Sequence, residues 1–77
     1  MRIIDQLEHP SMRISIFQMN LKYILKLEWG PLEQSYKFEC MDYKDLESFK
    51  ASVNTDAFLR ACMTLFIQMK SSYDAIV

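Results

Sequence analysis

The sequence predicts an α+β domain: a three-stranded antiparallel meander followed by two C-terminal helices packed on one face, in the order β-β-β-α-α. Three observations carry this prediction. Apolar and polar residues alternate from Met12 to Glu39, the apolar spacing becomes helical beyond Asp42, and the only glycine, Gly30, stands beside Pro31 as the strongest punctuation in the chain. No repeat, low-complexity tract or linker interrupts the 77 residues, so 1–77 is read as a single domain. Within it, 1–8 is an N-terminal edge segment, 11–40 the three-stranded sheet and 42–77 the two helices.

The N-terminal segment carries Ile3, Ile4 and Leu7, for which the sequence alone assigns no partner. In the sheet, period two places Met12, Ile14 and Ile16, then Tyr23, Leu25, Leu27 and Trp29, then Tyr36, Phe38 and Cys40 on one face. Arg13, Ser15, Lys22, Lys26, Glu28, Glu33, Ser35, Lys37 and Glu39 fall on the other, as in a sheet with one wet side. A hairpin closed at Asn20-Leu21 pairs Ile16 with Leu25, Ile14 with Leu27 and Met12 with Trp29, and sets Arg13 opposite Glu28. Gly30-Pro31-Leu32-Glu33 is expected as the second loop, with Pro31 at the first central position of a type I turn and the register left open. The first register also sets Phe17 across from Ile24 on the wet face. Such a pair contributes about 0.5 kcal/mol even when solvated. The sequence also allows a cover, either the N-terminal segment or a partner chain.

Beyond the sheet, Asp42 followed by Asp45 is a loose capping box for a short helix whose stripe is Leu46, Phe49 and Val53. Asn54-Thr55-Asp56 ends it and caps a second helix running from about Asp56 to about Ala75. At ~100° per residue, Phe58, Cys62, Leu65, Phe66, Met69, Tyr73 and Ile76 form a core-facing stripe. Leu59, Met63 and Ile67 add a flanking ridge, wider than one sheet can cover. Either the short helix folds against this ridge, or two copies of the long helix pair about a two-fold axis. The expected interface residues are therefore Phe17, Ile24, Leu59, Met63 and Ile67, and the expected partner is a second copy of the chain.

Composition narrows the function classes. An apolar content of 51%, with five Phe, four Tyr and one Trp, is rich for a chain this short, whose small interior leaves some of it near the surface. A net charge of −1, from nine Lys and Arg among ten acids, offers no field for phosphate backbones or anionic lipid, so nucleic-acid and membrane partners are not expected. No stretch reaches the ~20 apolar residues of a membrane span, and residues 1–8 lack a signal-peptide run, so the expectation is a soluble, cytoplasmic protein. Cys40 and Cys62 have neither metal nor disulfide spacing and are expected as small core hydrophobes.

Catalytic constellations are scarce. His9 is the single histidine, beside Pro10 in an expected loop; Glu28 and Glu33 flank the Gly30-Pro31 turn as solvated strand-end charges. There is no GxSxG, phosphate-cradling glycine loop or HExxH, and no cofactor or metal is expected. Tyr23, Trp29 and Tyr36 would line an aromatic pocket if the helices left a gap over them. The order of a short N-terminal element, a three-stranded meander and a C-terminal helix resembles the double-stranded RNA-binding domain in topology alone. Where that family carries a lysine cluster at the start of its last helix, this chain has Asn54-Thr55-Asp56-Ala57-Phe58, with no cation, and an extra helix intervenes. The reading is a non-enzymatic, homodimeric interaction or regulatory domain. Its alternatives are a small-molecule-binding domain using the aromatic face, or an accessory subunit of a larger enzyme.

Overall fold

A computed structural model describes residues 2–77. The elements are β1 (Arg2–Leu7), β2 (Arg13–Met19), β3 (Lys22–Trp29), β4 (Leu32–Glu39), a 3-10 turn (Cys40–Asp42), α1 (Leu46–Val53) and α2 (Asp56–Asp74). The strands form one antiparallel sheet in the order β1-β2-β3-β4. The α+β class stands, but the sheet has four strands rather than three, because the N-terminal segment is itself a strand.

A bulge hides that strand in the sequence. Ile3 lies opposite Phe17 and Asp5 opposite Ile16, so Ile4 is an extra residue and the register shifts across it. The phase of the alternation therefore reverses within six residues. Ile3 joins the helix-free face beside Phe17, whereas Asp5 and Leu7 share the face of Ile16 and Ile14. On that face the Asp5 carboxylate meets the Lys50 ammonium of α1 at 2.7 Å.

The β2–β3 hairpin has the expected register, with Arg13 opposite Glu28, Ile14 opposite Leu27 and Phe17 opposite Ile24. Its turn is Asn20-Leu21, and Asn20 takes the positive φ of 57° that an asparagine tolerates. The second hairpin corrects the expectation. Trp29 pairs directly with Leu32, so the connection is Gly30-Pro31 alone, and Leu32 and Glu33 belong to β4. Gly30 takes φ 61° at the first central position and Pro31 follows as the second, the pattern of a primed hairpin turn rather than type I. Primed turns match the right-handed strand twist, and a glycine supplies the required φ without a Cβ penalty.

The N-cap of α1 is Asp45, whose side chain accepts from the Ser48 N–H at 2.8 Å. Asp42, expected in that role, lies in the 3-10 turn one helical turn earlier. Thr55 caps α2 by accepting from Phe58 N–H. Both helices pack on one face of the sheet. Their buried residues, Phe49 and Val53 of α1 and Leu59, Cys62 and Phe66 of α2, close a single core over Leu7, Met12, Ile14, Ile16, Tyr23, Leu25 and Leu27. Neither helix is long and apolar enough to cross a membrane.

Candidate functional site

The aromatic inner face is occupied by the helices. Tyr23 stacks on Phe49 with ring centroids 4.6 Å apart, Trp29 lies 5.9 Å from Phe66, and Tyr36 meets Phe58 edge-on at 5.8 Å. These contacts also orient the helices. Phe49 holds α1 over the Tyr23 and Phe38 end of the sheet, while α2 runs from Tyr36 towards Trp29, along β4 and against its direction. Gln34 lies between those two points. It donates from Nε2 to the Cys62 carbonyl at 2.9 Å, and its Oε1 accepts from the Tyr36 hydroxyl at 2.8 Å. Burial raises the pKa of the Tyr23 and Tyr36 hydroxyls, and burial pushes the Cys62 thiol up against the opposing effect of the neighbouring Tyr36 hydroxyl.

The interface residues expected on the flank of α2 separate into two kinds. Leu59 is buried, at 9% exposure, and Met63 packs against the core, whereas Ile67 is 60% exposed. Leu59 and Met63 border a cleft whose opposite wall is Glu8, His9 and Pro10. The loop between β1 and β2 thus faces the N-terminal half of the ridge across this cleft. On the core stripe the opposite correction applies. Leu65 is 44% exposed, Tyr73 and Ile76 are exposed as well, and the buried arc is centred on Leu59, Cys62 and Phe66. The helix is rotated so that Leu65 overhangs β4, where it shares a shallow groove with Gln34, Ser35, Tyr36 and Met69.

Phe17 and Ile24, expected together, are together. Ile24 is 6% exposed but stands outside the core cluster, because it faces away from the helices. Its cross-strand neighbours are Phe17 and Lys37, and Ile3 completes the row on the far side of Phe17. The N-terminal strand is therefore part of the cover. Nearby, Met19 and Ile3 remain exposed.

Of the titratable candidates, His9 serves the loop. Its Nδ1 accepts from the Ser11 and Met12 N–H groups at 3.1 and 3.2 Å. Glu28 and Glu33 are direct cross-strand partners, and Lys26 pairs with Glu33 at 3.2 Å. Sequence reasoning passed over Gln34, although its phase with Tyr36 and Phe38 already put it on the inner face as that strand's one amide there. Among the described residues, no cluster of His, Cys, Asp and Glu could hold a metal ion. Compared with known proteins, the chain matches no protein-family model, no curated protein and no solved structure at a significant level.

Proposed function

We propose that the chain is a small homodimeric interaction or regulatory domain that acts by surface recognition. The observation that carries this reading is the apolar surface left open along α2. Leu65 and Ile67 stand exposed on opposite sides of Phe66, which is fully buried, and Tyr73 extends the open surface towards the helix end. On a domain this small, open apolar groups flanking a core helix cost solvation that a second copy recovers by burial. The aromatic face supports the small-molecule alternative less well, since its rings already pack on Phe49, Phe58 and Phe66. The test is mass in solution by light scattering over a concentration series. The expected value is twice the chain mass of 9.2 kDa; a mass of one chain at every concentration overturns the reading.

A further inference from the structure

The two edges of the sheet are unlike. β1 is short, bulged after Ile3, and carries Asp5 on its inner face tied to Lys50. Bulges and inward charges of this kind discourage strand addition. β4 has none of them: its eight residues run without a bulge from Leu32 opposite Trp29 to Glu39 opposite Lys22. Among the described residues no further strand lies beyond it. Its outer rim of backbone groups is therefore a template for pairing.

We infer that β4 pairs antiparallel with β4 of a second copy, about a two-fold axis at Ser35, joining two four-stranded sheets into one continuous sheet. This inference rests on the homodimer reading and specifies its surface. Charge selects the register. With Ser35 opposite itself, Glu33 of each copy lies opposite Lys37 of the other on the helix-free face, and the contact occurs twice by symmetry. Sliding by one residue at each end, so that Tyr36 opposes itself, would set Glu33 against Glu39, a repulsive pair. Lys37 is available for this role, because it makes no ion pair among the described residues, whereas Lys22 and Lys26 are paired with Glu39 and Glu33.

The inner face agrees with the same axis. Leu65 and Met69 of α2 share their groove with Gln34, Ser35 and Tyr36, the residues at the centre of the pairing. A two-fold axis perpendicular to the sheet keeps both α2 helices on one side and brings the exposed Leu65 of each copy towards the other. The exposed side chain that the rotation of α2 leaves over the β4 edge thus gains a partner. Ile67, on the opposite flank, does not.

Sedimentation equilibrium at low salt on the wild type, E33K, K37E, an equal mixture of the two variants, L65D and I67D tests this. The expected results are a dimeric wild type and a dissociation constant raised about tenfold in each charge variant, since each homodimer then opposes like charges twice. The mixture is expected to recover near wild-type affinity, because E33K against K37E restores both attractive pairs. L65D is expected to be a folded monomer by circular dichroism, and I67D a dimer. A dimeric wild type unaffected by either charge variant, with no gain on mixing and with I67D monomeric, overturns edge pairing while leaving the homodimer intact. A wild type monomeric throughout removes both. Should L65D fail to fold, recovery in the E33K and K37E mixture still supports the pairing and its absence still overturns it.

Discussion

Gln34 is the clearest case of a single side chain deciding local packing. It is 9% exposed and uses both ends of its amide, one on the α2 backbone at Cys62 and one on Tyr36. Gln34→Leu leaves the half-buried Tyr36 hydroxyl without its acceptor and is expected to cost about 1 kcal/mol in urea denaturation. Adding Tyr36→Phe removes the stranded group, so the double variant should lose less than the sum of the single losses. The contrast between Phe66 and Ile67 is as sharp. Phe66 is fully buried, so Phe66→Asp places an unpaired charge in the core and is expected to abolish the folded helical signal in circular dichroism. Ile67, 60% exposed, should accept Asp within about 0.5 kcal/mol of chain stability.

Among the elements, turns and caps set the boundaries. Gly30 has φ 61° and nothing within 4 Å of an added Cβ, so Gly30→Ala meets a backbone penalty and no clash. About 1–2 kcal/mol of destabilisation is expected, with the β3–β4 register kept. A larger loss with altered strand content by circular dichroism would show that the turn governs the register as well. The alternation of β2 and β3 was legible residue by residue, and so were the start of α2 and its end to within a residue. β1 was not, because one bulged residue reverses the alternation of a short strand. Nor was the cap of α1, since Asp42 and Asp45 offer the same chemistry three residues apart and only the 3-10 turn distinguishes them.

At the scale of the molecule, one ion pair ties the N-terminal strand to α1. The Lys50 ammonium holds the Asp5 carboxyl below its ordinary value of 3.8, helped by the Gln6 N–H. Asp5 in turn raises Lys50 above its ordinary 10.5. The Asp5 contribution is complete above the ordinary carboxylate value and is lost as pH falls through the lowered one. The Lys50 contribution is complete below 10.5 and is lost as pH rises through the raised one. The pair therefore contributes most between these limits. Asp5→Asn should flatten that part of the acid-side fall in stability measured by thermal melting from pH 6 to pH 2 (about four units of span). The net charge of −1 leads to a separate expectation, that random duplex RNA or DNA does not bind appreciably at physiological salt. Salt-sensitive micromolar binding in a filter or anisotropy assay would contradict it.

The sequence by itself determined the class of fold, the faces and register of β2 and β3, and the position of the long helix. All of these follow from periodicities and turn chemistry that act over a few neighbouring residues. Tertiary structure decided what periodicity cannot see. A helical wheel ranks Leu59 and Leu65 only by angle. The difference between them arises because α2 lies over an edge strand, with the β1–β2 loop facing the Leu59 flank and, among the described residues, only the rim of β4 beside Leu65. The same holds for Ile24, which sits on the helix-free face yet is 6% exposed, because Phe17 and Lys37 flank it on neighbouring strands and Ile3 extends the row. Burial is a property of what lies opposite, and for these residues what lies opposite is far away in the chain.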